Sequence, residues 1–194
     1  MELEELLSVG WKEVVTASKQ RKHPFHTATY ATLSAFGPES RTVTLRHASE
    51  LEEGGWELGF NADIRSPKAL QSKNDAPVTW LFYSFPHKLQ VRVWGYSRVH
   101  YQDELAESIW NNMQLLSRRC YLAPLAPSFE VSEATSNIPE LLRDREPIEE
   151  ESIPGYQNFC VVRTRVSQIE VLKLEFEGAW RAKYTADSAT WLAP

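Results

Sequence analysis

Apolar residues recur at intervals of three and four along the first stretch of the chain: Leu3, Leu6, Leu7, Trp11, Val14 and Val15. That period predicts an amphipathic helix over residues 2–19. His23-Pro24 closes it, because a residue before proline avoids the α region. The period then shortens to two. Residues 25–35 carry the strand formers Thr27, Thr29, Tyr30 and Thr32, and Gly37-Pro38-Glu39-Ser40 predicts a turn. Residues 41–47 read as the returning strand. Alternation puts Val43 and Leu45 on one face and Thr42, Thr44 and Arg46 on the other.

A turn at Glu52-Glu53-Gly54-Gly55 precedes a short strand over 56–60, and a helix follows Asp63 and ends near 74–75. Residues 77–85 (PVTWLFYSF) are almost wholly apolar and predict a central, buried strand. Residues 89–101 alternate well. Leu89, Val91, Val93 and Val99 share one face; Gln90, Arg92, Trp94, Tyr96 and Arg98 share the other. Gly95 in mid-strand marks a bend or a close backbone approach.

Leu105, Ile109, Met113 and Leu116 stripe a helix over 102–118, and Pro124 and Pro127 make 120–128 irregular. Residues 129–151 hold eight acidic residues against two arginines. They read as a solvated connection with one short helix over 138–145. Three strands, 158–165, 168–176 and 179–184, end the pattern. Seven or eight strands joined by short turns, with three or four helices, predict a mainly β, α+β chain with antiparallel pairing. A barrel and a sandwich with peripheral helices both satisfy it. The chain reads as one domain over 1–194: an N-terminal helix (1–22), a first set of strands (25–101), a helix and acidic connection (102–155) and closing strands (156–186).

Composition narrows the function classes. A net charge of −5 over 194 residues disfavours a general nucleic-acid binder. Cys120 and Cys160 form no CxxC and are too few for a disulfide scaffold, which points to a reduced, cytoplasmic setting. The start, Met-Glu-Leu-Glu-Glu-Leu-Leu, is acidic and unlike a signal peptide, and no apolar run would span a membrane. There is no GxGxxG, P-loop, GxSxG, HExxH or paired-Cys metal spacing. His23 and His26 are three apart, but Pro24 lies between them and no nearby carboxylate completes a set, so no metal is expected.

What remains is an unusual helix start, Asn61-Ala62-Asp63-Ile64-Arg65-Ser66-Pro67-Lys68. Asp63 or Ser66 suits a cap, and Pro67 suits the first turn. Arg65 and Lys68 stand where the helix dipole is already positive, an arrangement that favours a bound anion. Two side chains pointing into water would look the same. Arg41, Arg46 and Gln90 lie on the neighbouring predicted strands, with no acid–base pair or nucleophile beside them. That set suits a cofactor bringing its own chemistry.

Three segments also resemble a family. Arg41-Thr-Val-Thr-Leu-Arg46, Phe60-Asn-Ala-Asp-Ile-Arg65-Ser66-Pro-Lys68-Ala and Leu89-Gln90-Val-Arg92-Val-Trp-Gly95 are similar, in order and spacing, to the FMN-binding segments of pyridoxamine 5'-phosphate oxidase-like split barrels. The resemblance implies a six-stranded antiparallel split β-barrel and a homodimer with FMN at its interface. It implies that Arg41 and Lys68 hold the FMN phosphate, with Arg65 and Ser66 beside them. Thr42, Val43 and Thr44 would border the isoalloxazine edge and Arg46 the ring or phosphate. Asn61 and Ala62 would line the ribityl region, and Gln90 would bond the pyrimidine end. Trp180 and Arg181 resemble the C-terminal ring contacts.

The chain departs from the true oxidase in two places. Arg181-Ala182-Lys183 stands where that enzyme has Arg-x-His, and Ser117-Arg118-Arg119-Cys120-Tyr121 keeps an arginine of its substrate-phosphate segment without the pattern. The resemblance therefore implies the oxidase-related, FMN-binding group, acting on an unidentified small molecule, with no catalytic side chain assigned. Two alternatives stay open: a flavin-binding or sensing module without turnover, and a flavin-free dimeric interaction protein.

Overall fold

The computed structural model describes residues 1–194. The chain is mainly antiparallel β with several helices. Its strands are β1 (Thr27–Ser34), β2 (Gly37–Thr44), β3 (His47–Glu50), β4 (Trp56–Asp63), β5 (Ala76–Ser84), β6 (Leu89–His100), β7 (Phe159–Glu175), β8 (Gly178–Tyr184) and β9 (Ala189–Leu192). Its α-helices are α1 (Leu3–Lys19), α2 (Pro67–Gln71), α3 (Glu104–Asn111), α4 (Leu115–Arg118) and α5 (Glu149–Ser152). Nine strands form one sheet, in the order β2-β1-β5-β6-β7-β4-β3, with β8 added to β7 and β9 to β8. The expectation of six strands is thus exceeded. The short β3 and the C-terminal β9 were not predicted as strands.

Two compact units emerge: residues 1–60, 74–98 and 163–194, and residues 61–73 and 99–162. In the first, α1 buries Leu6, Trp11, Val14 and Ala17, as its period requires. Gly10 lets the helix come close to β7; a Cβ there would lie 2.8 Å from a Val171 methyl. The core is aromatic. Tyr30 lies 4.9 Å from Phe60 and 5.0 Å from Trp80, edge to face, and Trp80 stacks on Phe82 at 6.0 Å. Four polar side chains inside it pair with one another. Tyr30 Oη donates to Ser97 Oγ (2.9 Å), Trp80 Nε1 donates to Thr164 Oγ1 (3.1 Å), and Ser97 and Thr164 share a 2.6 Å bond.

Several boundaries differ from the predicted ones, for local reasons. Gly37–Ser40 is strand, not turn; the chain reverses at Ala35-Phe36, and Gly37 supplies φ +116°. Pro38 is tolerated because β2 is an edge strand. β5 is central, yet only alternate residues are buried. Trp80 and Phe82 are covered, while Leu81 and Tyr83 stay 36% and 52% exposed. Residues 159–175 form one strand, β7, rather than two. Gly95 shows why it is glycine: a Cβ would sit 2.3 Å from the Arg165 carbonyl oxygen.

The second unit packs Trp110 and Ala106 of α3 against Phe159 and Val161. Asp103 caps α3 by accepting from Ala106 N at 2.9 Å. The helix predicted over 102–118 breaks into α3 and α4. Asn112 Nδ2 donates to the Ser108 carbonyl at 2.8 Å, a side-chain bond that competes with helix continuation. The helix predicted over 138–145 shrinks to one 3-10 turn, Glu140–Leu142. The acidic stretch is more ordered than a solvated connection. Arg118, 3% exposed, donates to Glu149 (2.6 Å) and Ser152 Oγ (3.1 Å), and its guanidinium lies over Trp110. Arg119 donates to the Leu142, Arg143 and Arg145 carbonyls. Arg145 bonds Glu151 and holds its carboxyl down at about 2. No helix is long and apolar enough to cross a membrane.

The Gly95 contact gives a stability prediction. Gly95→Ala costs about 3 kcal/mol in denaturant unfolding, because backbone must move to admit the methyl. A loss below about 0.5 kcal/mol would show that the β6–β7 approach is not needed.

Candidate functional site

The predicted site residues fall in both units, and each set is built differently. In the first unit, β2 alternates as expected: Val43 is buried, Thr42 is exposed and Thr44 half-buried. Thr42 pairs across to Thr29, Thr29 to Leu81, and Leu81 to Arg92. Thr44 and Gln90 lie two residues further along their strands, so Thr42, Thr44, Gln90 and Arg92 share one sheet face. That face carries hydroxyls, an amide and a guanidinium around the open Leu81 and Tyr83. It can hydrogen-bond the edge of a planar polar ring.

Arg41 is not on that face. It lies opposite Tyr30, on the Val43 side. Its guanidinium donates to Thr32 Oγ1 (2.5 Å), to the Glu39 carbonyl (3.1 Å) and to the Glu39 carboxylate (3.0 Å). The structure therefore separates Arg41 from Thr42 and Thr44 and gives it protein partners. Arg46 follows β2, is exposed, and has its backbone N–H bonded to the Gly59 carbonyl at 2.8 Å.

Trp180 and Arg181 lie on opposite faces of β8. Trp180 packs near Trp191 (5.9 Å) and donates to Glu175 (3.3 Å). Arg181 donates twice to Glu170 Oε1, at 3.1 and 2.8 Å, and Arg92 reaches the same oxygen at 3.3 Å. Arg92 also stacks over Trp94 at 4.6 Å. Residue-by-residue reading missed Arg92 and Glu170. The signals were there: Arg92 alternates in step with Gln90, and an acid interrupts the apolar run of β7.

In the second unit, residues 61–68 make a compact corner. β4 ends at Asp63, which is 8% exposed, and the short α2 begins at Pro67. Asp63 Oδ1 accepts from Arg65 N (2.8 Å) and Arg65 Nε (3.0 Å), and Oδ2 accepts from Arg65 Nη2 (2.7 Å). Nη2 also donates to the Ala123 carbonyl at 3.0 Å. These bonds push the Arg65 pKa up, the Asp63 hydrogen bond most of all. Ser66 occupies the N-cap position but is buried, and its hydroxyl donates back to the Asp63 carbonyl at 2.7 Å. Asn61 is half-buried, Ala62 is buried, and Lys68 stands in the first turn of α2. The cationic corner inferred from sequence exists, but Asp63 organises it.

His23 and His26 do not converge. His26 Nδ1 bonds the Ala17 carbonyl, and His23 Nε2 and His87 Nδ1 meet Glu13 Oε2 at 3.0 and 3.1 Å. The carboxylate not found near the two histidines in sequence comes from α1. Phe25 N–H donates to His23 Nδ1, so the ring proton of neutral His23 sits on Nε2, where a metal would need a lone pair. The trio is a hydrogen-bonded clamp. A cleft of about 330 Å³ in the first unit, lined by Leu33, Pro77, Thr79, Trp94 and Tyr96 among others, includes none of the predicted site residues.

Residues 8–101 match the family model described as pyridoxamine 5'-phosphate oxidase, FMN-binding domain. None of the curated proteins matches the chain by sequence. Among solved structures, a pyridoxamine 5'-phosphate oxidase-related, FMN-binding protein of Nostoc punctiforme is similar, with a TM-score of 0.69 at 20% identity, over 94% of this chain and 95% of that one. PhzG of Burkholderia lata, solved with tetrahydrophenazine-1-carboxylic acid, has a TM-score of 0.62 at 14% identity, over 97% of this chain and 92% of that one. A Clostridium acetobutylicum protein related to general stress protein 26 has a TM-score of 0.51 at 8% identity, over 99% and 96% of the two chains. At these identities the likeness is one of fold.

The corner's surroundings generate a chemical test. Cys160 is buried, its Sγ lies 3.4 Å from the Ala62 carbonyl, and burial pushes its thiol up to about 12. Cys120 is exposed. Iodoacetamide at pH 8 will alkylate Cys120 in the folded protein and both cysteines only after denaturation. Equal labelling of Cys160 in the folded state would contradict this packing.

Proposed function

From residues 8–101, which belong to the pyridoxamine 5'-phosphate oxidase-like family, we propose that the protein is an FMN-binding oxidoreductase acting on a small molecule. The observation that carries the reading is the corner at 63–68. It brings a guanidinium and an ammonium to a strand-to-helix junction, the kind of cationic donors that a phosphate dianion rewards. These residues fit the phosphate end of FMN. Lys68 and Arg65 would hold it, with Ser66 and Asn61 beside them. Arg41 is withdrawn from the first rank of phosphate ligands by its bonds to Glu39 and Thr32.

The hydroxyl-and-amide face of the first unit is by itself suited to the edge of a flavin ring. Gln90 would bond the pyrimidine edge, with Thr42, Thr44 and the Val43 backbone bordering the ring. Trp180 and Arg181 would approach it from β8. The proposed assembly is a homodimer with FMN at the interface. When bound, FMN supplies hydride chemistry at its N5 position. The chain's part is to orient the ring and to stabilise charge developing at its pyrimidine end, through Gln90 or Arg46. No side chain is assigned as a general base.

The deciding experiment is a fluorescence titration with FMN, then stopped-flow reduction by NADH or NADPH and exposure to oxygen. FMN binds with about micromolar affinity, the sum of three or four charge-assisted contacts less the entropy of association. Arg65→Ala with Lys68→Ala weakens binding at least tenfold more than Arg143→Ala with Arg145→Ala, a difference of about 1.4 kcal/mol or more. Equal affinities would remove the corner from the site. A flavin that binds but is never reduced at useful rates favours a sensing module. A protein that takes up no FMN favours a flavin-free interaction role.

The dimer has its own test. Leu81 and Tyr83 on the open face of β5, and Phe85 just after it, are exposed at 36%, 52% and 79%. Tyr83→Lys should turn a sedimentation-equilibrium dimer into a monomer. A variant that stays dimeric would move the interface elsewhere.

A further inference from the structure

The proposed site contains a buried carboxylate that no phosphate ligand role explains. Asp63 is 8% exposed and carries a negative charge beside the cations offered to an anion. A bare carboxylate there would repel a phosphate, so its presence calls for a function. Its three side-chain bonds to Arg65 identify one. They take the backbone N–H, Nε and one terminal nitrogen, Nη2. The Ala123 carbonyl takes the second hydrogen of Nη2. Nη1 takes no partner within the chain, and the Arg65 side chain keeps 28% of its surface exposed. The guanidinium is therefore held by its Nε/Nη2 edge, with Nη1 left for a ligand.

We propose that Asp63 is a positioning residue for the phosphate end of the flavin, acting through Arg65. This rests on the FMN reading above. An arginine with four rotatable bonds must normally be ordered when its ligand arrives, and that ordering weakens binding. Here the ordering is complete before binding. The same residue sets the corner's backbone: its side-chain Oδ1 accepts from Arg65 N, and its main-chain carbonyl, separately, accepts from both Ser66 N (3.0 Å) and Ser66 Oγ. One buried acid thus fixes a guanidinium and the backbone that carries it, the kind of support that a precise site needs around its contacting groups.

Two effects of opposite sign decide the test. Removing the charge of Asp63 strengthens attraction between Arg65 and a dianion. Removing the fork frees Arg65 to wander. Asp63→Asn separates them with little harm to the turn, because the amide oxygen still accepts from Arg65 N–H. Its NH₂ group faces Nη2 as donor against donor and breaks the fork.

The experiment compares FMN with riboflavin, which lacks only the phosphate, in protein stripped of co-purified flavin. Flavin fluorescence reads both affinities in the wild type, in Asp63→Asn, and in Arg65→Ala with and without Asp63→Asn. The wild type prefers FMN to riboflavin. Asp63→Asn loses about tenfold in FMN affinity and leaves riboflavin affinity unchanged, so the preference shrinks by the same factor. In the Arg65→Ala background, Asp63→Asn no longer weakens FMN binding, since the residue it acts through is gone. An Asp63→Asn variant that binds FMN as tightly as the wild type, or more tightly, overturns the inference, and so does equal loss of both flavins, which marks a purely structural role. A wild type that binds neither flavin overturns the cofactor reading and this inference with it. A wild type that prefers FMN, with an unchanged variant, overturns the inference alone.

Discussion

The first unit depends on keeping four polar groups satisfied in a buried aromatic core. Tyr30, Trp80, Ser97 and Thr164 are all fully buried, on β1, β5, β6 and β7. Each would be costly alone, since an unpaired buried donor costs about 1–3 kcal/mol. Together they close on one another through the shared Ser97–Thr164 bond. The bonds demand one register between four strands, because a slip of one residue would turn every member to the other face. Gly95 meets the same demand from the backbone side, by admitting the Arg165 carbonyl where any side chain would collide.

That register sets the outer face as well. With Tyr30 and Trp80 held inward, the alternate residues Thr29, Leu81 and Arg92 must point outward, in line with Thr42. The face that can meet a ring edge is thus a by-product of how the core is satisfied. The second unit answers a different problem. An acidic stretch that could not stay folded by apolar burial alone is held by arginines: Arg118 inside, Arg119 on three carbonyls, and Arg145 on Glu151. The arginines that follow α3 are therefore internal supports.

Charge balance explains the corner at 63–68. Cations at a helix start are unfavourable on their own, and a phosphate is one remedy. The protein also carries a permanent one in Asp63, which keeps Arg65 paired before any ligand comes. Both remedies are compatible because the guanidinium has more donors than the carboxylate can accept.

Local pattern alone was enough for much of this. The 3.6-residue period of α1, the alternation of β6 and the misfit of Arg65 and Lys68 at a helix start are all written in neighbouring residues, because each depends on spacing within one element; the glycine at position 95 was visible there, but its reason, the Arg165 carbonyl, was not. Pattern could not tell that Arg41 belongs to Glu39 and Thr32, that Arg92 and Arg181 converge on Glu170 from 78 and 11 residues away, or that Glu13 joins His23 to His87. It also overstated the burial of β5, whose apolar run looks the same whether one face or two are covered. These were decided by pairing across strands. A charged side chain takes its partner from whatever the fold brings within hydrogen-bond distance, and separation along the chain carries no record of that.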